Sequence, residues 1–263
     1  NKAKQCLKEL IKAILAQTGI SEDETQEPTS LLNTLLEFQN TFKALSLNFK
    51  FDLNALQKDL NALPHPPRQG WEKAKLGDLC QILRGVTYSK KEQSVEETQS
   101  IILTADNITL ENTFEISKCI YLKENFKIDK SKKLIKNDIF MCFSSGSLKH
   151  IGKVAFIEND TPYYAGGFMG ILRPVNEAVK SKFLFHTIAN VDSKLNLENL
   201  AKGANINNLS SEIKSLKIPL PPLKEQEKIS SCIEKLETQI SHLNSMLLNL
   251  ETQKTHIIER HLF

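Results

Sequence analysis

The sequence predicts an α+β fold: a mixed domain of short strands and helices, preceded by a helical segment and followed by a long coiled-coil helix. Three observations predict it. Apolar residues recur at helical spacing up to Leu63, short β-like runs separated by polar turns begin at Trp71, and an apolar stripe with heptad spacing follows Pro222. The expected boundaries are residues 1–63 for the helical segment, 64–70 for a linker, 71–218 for the mixed domain and 219–263 for the long helix.

In the first segment Leu7, Leu10, Ile11, Ile14 and Leu15 fall on one helical face, and Leu31, Leu35, Phe38, Phe42 and Leu45 do so again. An acidic, turn-rich connection separates them, and Pro28-Thr29-Ser30 reads as a helix start. A third short helix is expected over 52–63. The run Pro64-His65-Pro66-Pro67-Arg68-Gln69-Gly70 cannot continue it and reads as a linker.

Beyond Trp71 the β-like runs are 101–103, 119–122, 138–143, 154–157 and 170–172, rich in β-branched and aromatic residues and bounded by Gly, Asn, Asp or Ser. One helix is expected over 181–189. Pro219, Pro221 and Pro222 then block helix, and a proline suits the first helical turn that follows. Ile229, Ile233, Leu236, Ile240, Leu243, Leu247, Leu250 and Ile257 follow the alternating spacing of heptad a and d positions, broken at Lys254. About 40 residues at 1.5 Å each make a rod of roughly 60 Å. The stripe packs either on its own domain or against a partner helix, and its length without Gly or Pro favours a coiled coil.

Composition narrows the function classes. At 263 residues the chain holds one large domain or two modest ones. No apolar run approaches the roughly 20 residues that span a bilayer, and the first segment, with Glu9 on an amphipathic pattern, is a poor signal peptide. The five cysteines are scattered without the close spacing of zinc sites or redox pairs, so free thiols in a reducing cytoplasm are expected. The net charge of +3 is unevenly placed: residues 1–70 are neutral, 71–218 carry +4 and 219–263 carry −1. The positive excess is compatible with phosphate binding.

No Gly-rich phosphate loop, His-Glu-x-x-His, Gly-x-Ser-x-Gly or paired-Cys metal site is present, so a non-catalytic chain without its own metal or cofactor is expected. Three polar, Gly-containing loops point elsewhere. The first combines Arg84, Thr87, Tyr88, Ser89, Lys90 and Lys91 around Gly85, a mix suited to phosphate contacts and base-edge hydrogen bonds. The second carries Ser144, Ser145, Ser147, Lys149 and His150 directly after an apolar strand. The third carries Lys202, Asn205 and Asn207, with amides of the type that pair with adenine. Each loop alone reads better as ordinary solvated surface; three in one net-positive domain bring DNA binding nearer to level with it.

A resemblance sharpens the choice. IPLPPLKEQEKI at 218–229 resembles the string that closes a target-recognition domain and opens the spacer helix in type I restriction–modification specificity subunits. WEKAKLGDLCQILRGVTYSKK at 71–91 and KKLIKNDIFMCFSSGSLKHIGKVAFI at 132–157 resemble the same family's opening and central stretches, with Asn137 where Gly is usual. GANINNLS at 203–210 resembles its Gly-x-x-Ile-x-x-Leu-Ser element. The resemblance implies that 71–218 is a DNA target-recognition domain and that the chain reads double-stranded DNA without catalysing anything. Methyltransferase and motor–nuclease subunits would do the chemistry, and S-adenosylmethionine, ATP and Mg would belong to them. A full specificity subunit usually has two recognition domains and two antiparallel helices, so this chain resembles half of one and is expected to form a homodimer through its C-terminal helix. Residues 1–63 are open to two readings, a variant spacer helix or the helical tail of a fused methyltransferase. The second is preferred, because the chain does not begin with Met and a complete domain follows the linker. Two alternatives stay open: the C-terminal recognition region of a single-chain restriction–methylation enzyme, and a non-DNA interaction protein tethered by a coiled coil.

Overall fold

The computed structural model describes residues 2–21, 24–45, 47, 49–145, 150–189, 209 and 212–262. The chain forms two compact units, one of Asn1–His65 with Lys228–Phe263 and the other of Pro66–Glu227.

The first unit begins with three helices. In α1 (Lys2–Gln17) Leu7, Leu10 and Ile14 share one face and are fully buried, as the spacing requires. Pro28 opens α2 (Pro28–Ala44), which buries Leu31, Leu32 and Leu35, and the Cys6 thiol donates to the Leu31 carbonyl to join α1 with α2. Asp52 caps α3 (Leu53–Asn61) by accepting from the Ala55 N–H at 3.0 Å, and Leu56 and Leu60 point inward. One expected core position fails. Leu45 is 64% exposed because α2 ends there, and its N–H closes the last turn onto Thr41 and Lys43. Phe42 instead meets Phe49 and Phe51 in an aromatic cluster beyond the helix end.

The second unit contains, in chain order, β1 (Lys73–Lys75), α4 (Leu76–Leu79), β2 (Cys80–Arg84), β3 (Gln93–Ser94), β4 (Ile101–Leu103), β5 (Ile120–Leu122), β6 (Ile139–Cys142), β7 (Val154–Phe156), β8 (Tyr163–Ala165), β9 (Met169–Pro174), α5 (Ser181–Ala189) and β10 (Lys217–Pro219). Two four-stranded sheets form its body. One is the antiparallel series β2-β9-β6-β7; the other is β3-β5-β4-β8, in which β4 and β8 run parallel. All four residues of β6 are buried, which explains its unbroken apolar text. Phe140, Cys142, Ala155, Met169 and Ile171 of the first sheet pack with Leu103 and Ala165 of the second in one core. Each fully buried Leu, Ile, Phe or Met side chain among them contributes about 1.5–3 kcal/mol.

Several motif residues prove to be scaffold. Asp138, with its side chain 1% exposed, receives a bidentate hydrogen-bond pair from the Arg173 guanidinium, both at 2.8 Å, and its Oδ2 also accepts from the Ile135 N–H. Asn137, standing where the family pattern has Gly, has φ of 71°, a left-handed conformation that Asn tolerates better than most residues. Buried Lys153 donates to the Ala105 and Ile108 carbonyls and fixes the turn after β4. β1 and β10 pair as a ribbon, Lys73 opposite Pro219, so the unit's two ends lie side by side.

The chain then enters α6 (Leu223–Leu262). Gln226 explains why the string before it is so regular. Its buried amide accepts from the Lys180 N–H and donates to the Ala178 and Pro221 carbonyls, locking the helix start to the approach to α5. Farther along, within the first unit, Ile229, Ile233, Leu236 and Leu243 are buried, and Lys235 pairs with Asp59 of α3 at 2.5 Å. Beyond them the stripe loses cover: Leu247 and Leu250 are half-buried and Leu248 is 64% exposed. Among the described residues no helix is long and apolar enough to cross a membrane.

Candidate nucleic-acid interface

The candidate interface is built around the turn that links the two sheets of the second unit. β8 belongs to one sheet and β9 to the other, and only Gly166, Gly167 and Phe168 lie between them. The Met169 N–H donates to the Gly166 carbonyl at 2.8 Å, closing a tight β-turn.

The first polar loop is docked onto this turn. After β2 ends at Arg84, the Gly85 N–H donates to the Met169 carbonyl at 2.9 Å and the Val86 N–H to the Ala165 carbonyl at 2.7 Å. A Cβ on Gly85 would overlap the Gly166 carbonyl, so only glycine allows the two backbones to come this close. A Cβ on Gly167 would lie 3.1 Å from the Val86 carbonyl and 3.4 Å from the Thr87 Cα. Lys132 donates to the Gly85 carbonyl from a neighbouring segment. Downstream the Ser89 N–H donates to the Glu92 carboxylate, starting a short 3₁₀ turn at Lys90–Glu92. Arg84, Thr87, Ser89, Lys90 and Lys91 are exposed, and Arg84, Lys90 and Lys91 form no ion pair with another described residue. Tyr88 differs: it is half-buried against Val86, Ile102 and Leu122, and burial raises its phenol pKa.

The second loop starts from the opposite side of the same turn. The N–H groups of Phe143 and Ser144 both donate to the Phe168 carbonyl at 3.1 Å, and the Phe143 ring lies where a side chain on Gly170 would be. Ser144 and Ser145 are half-buried at the loop's start and His150 is half-buried at its end; Ser147 and Lys149 lie outside the described residues. Of the third loop, Lys202, Asn205 and Asn207 also lie outside them. Its described end is buried Leu209, whose N–H donates to the Phe143 carbonyl at 2.9 Å. The described ends of the first two loops therefore meet on the segment from Ala165 to Met169, and that of the third bonds to Phe143 beside it.

Sequence reasoning missed the residue at the centre. Phe168 is 73% exposed, a large aromatic held at the tip of the turn between Thr87 and Ser144. The available signal was a Gly-Gly pair followed by an aromatic between two strand-like runs. Among the described residues no group of three or more His, Cys, Asp or Glu side chains could hold a metal ion.

Comparison with known proteins shows the family of the chain. The family model for the type I restriction modification DNA specificity domain matches residues 68–252. The chain is 31% identical over 196 residues to the Type I restriction enzyme EcoKI specificity subunit of Escherichia coli strain K12, covering 73% of the chain and 40% of that protein. It is also 31% identical over 196 residues to the StySPI specificity subunit of Salmonella potsdam, covering 73% and 41%. The chain thus spans about two fifths of the length of these relatives. In fold it is similar, with a TM-score of 0.54 at 14% identity over 95% of the chain and 66% of the other, to a solved chain from a study of complex assembly in the type I R-M system.

Proposed function

The chain belongs to the family of type I restriction–modification DNA specificity domains, and on that premise we propose that it reads a double-stranded DNA sequence for a type I-like restriction–modification system. The observation that carries the reading is the seating of the first polar loop and of the start of the second on the β8–β9 turn, beside exposed Arg84, Lys90 and Lys91. These cations supply phosphate contacts, which set affinity and register. Ser145 and, outside the described residues, Ser147, Asn205 and Asn207 are the base-reading candidates, because short uncharged donors and acceptors fit base edges.

The proposed chain is non-catalytic. It directs a methyltransferase subunit that modifies adenine with S-adenosylmethionine and a motor–nuclease subunit that uses ATP and Mg, all in the cytoplasm. Its half-covered α6 stripe pairs with the same element of a second copy, antiparallel, which places two recognition units at opposite ends of a rod of roughly 60 Å. Such a homodimer reads an interrupted palindrome whose half-sites lie at least one helical turn apart.

The test is affinity for duplex DNA at several salt concentrations, followed by selection from a pool of duplexes with a randomised centre. A steep fall of log affinity with log salt and enrichment of an interrupted palindrome are expected. A protein-binding or sugar-binding module would give neither.

A further inference from the structure

We propose that Phe168 is an aromatic wedge that enters the stack of the bound duplex and unstacks one base step; the inference rests on the DNA-reading function and adds to it a residue that does not read base edges. Among the described residues Phe168, 73% exposed, is the only aromatic side chain among the exposed large hydrophobics. Its position gives it a use. The Phe168 backbone lies where the first and second polar loops meet: Gly167 before it packs on Val86 and Thr87, its own carbonyl accepts from Phe143 and Ser144, and the described end of the third loop bonds to Phe143.

The backbone beneath it is over-determined. The Phe168 carbonyl accepts from Phe143 and Ser144, the flanking Gly166 carbonyl accepts from Met169, Gly85 packs backbone to backbone on Gly166, and Gly167 packs on the backbone of Val86 and Thr87. A tip held this firmly loses little conformational entropy when it meets a ligand. The turn also joins the two sheets, so a force on the ring is carried into the core through β8 and β9. Polar loops with cations on the flanks and one apolar ring at the centre match the arrangement in which phosphate contacts hold a duplex while an inserted side chain opens a base step.

Selection from the randomised pool supplies the probe. In the selected duplex each adenine is replaced in turn by 2-aminopurine, whose fluorescence rises when it is unstacked. The wild-type chain should raise fluorescence at one step of each half-site. Phe168→Ala should abolish that rise and lower affinity for the selected duplex about five- to a hundredfold while leaving affinity for random duplex nearly unchanged. Phe168→Trp should restore both signals. Because the ring is exposed and its turn is held by backbone bonds, the Ala variant should melt with the wild type. Equal affinity and fluorescence for wild type and Phe168→Ala would overturn the wedge and leave DNA reading intact, as would a Trp variant that melts normally without restoring either signal. A wild-type chain that selects no duplex would overturn the DNA-reading function itself.

Discussion

Gly85 and Gly166 meet backbone to backbone, so closely that a methyl group on Gly85 would overlap the Gly166 carbonyl oxygen. That contact seats the first polar loop on the turn between the two sheets, and its neighbour bonds, Gly85 to Met169 and Val86 to Ala165, depend on it.

Replacing Gly85 by Ala should therefore push the loop from its seat. Overpacking of this kind costs about 1–3 kcal/mol. Urea denaturation should show that loss, and affinity for duplex DNA should fall further than the stability change explains, because Arg84 and Thr87 move with the loop. A variant with unaltered stability and affinity would show that the backbone there yields freely.

The Asp138–Arg173 pair should behave as scaffold. Asp138→Ala strips the partner from a largely buried guanidinium and should cost about 3–5 kcal/mol, whereas pairing it with Arg173→Met should recover part of the loss. Salt dependence of DNA binding should be the same in any variant that remains folded, since Asp138 is buried and neither side chain is among the exposed cations of the first loop.

These two residues show which parts of the protein were legible. Asp138, Lys153 and Gln226 sit in the strings that carry the family resemblance, and all three are buried anchors for turns or helix starts. Strands with β-branched or aromatic text, such as Ile101–Leu103 and Val154–Phe156, and the helix Ser181–Ala189 were legible from local pattern. β1 and β10 were not, because Lys73–Lys75 becomes a strand only by pairing with residues far along the chain. The meeting of the loops' described ends was also hidden: it is made by main-chain bonds of Gly85, Phe143, Ser144 and Leu209, and backbone groups leave no mark in side-chain pattern. Phe168 escaped notice because two glycines interrupt any period before it.

Changing Arg84, Lys90 and Lys91 together to Ala should weaken binding to selected and random duplexes alike and flatten the salt slope by up to about three. The three side chains are exposed without ion pairs among the described residues, so thermal stability should be unaffected. A slope that stays the same would return the first loop to ordinary surface.

His186 makes stability sensitive to acid. Burial, with a smaller contribution from the nearby Lys182 charge, pushes its pKa down to about 3, against an ordinary value of 6.5. Above pH 6.5 both folded and unfolded forms carry a neutral ring and nothing changes. Below it the unfolded chain takes up a proton that the folded chain refuses, so stability falls by about 1.4 kcal/mol per pH unit until the folded pKa is reached. Between pH 7.5 and 5.0 this residue should therefore account for a loss of about 2 kcal/mol. Urea midpoints at both pH values, compared with those of His186→Gln, measure it. An equal pH response in the two proteins would assign the loss to carboxylates elsewhere.

The last prediction separates what α6 does inside the chain from what it does between chains. Leu236 and Leu243 are buried within a single copy, and the Lys235–Asp59 pair holds the same stretch against α3. Aspartate at either leucine should unfold the first unit, lowering the melting temperature whether or not a second copy is present. Leu247 and Leu250 continue the stripe but stay half-exposed, next to exposed Leu248, so a single copy gains little from them. Apolar residues left open in register are what an antiparallel partner helix would cover. Leu247→Asp with Leu250→Asp should keep the wild-type melting temperature at low protein concentration, convert a dimer to a monomer in sedimentation velocity, and remove the preference for interrupted palindromes while each half-site is still bound weakly. If the unmodified chain sediments as a clean monomer at tens of micromolar, packing within one copy is the whole account of the stripe, and the partner for residues 247–250 must come from another subunit.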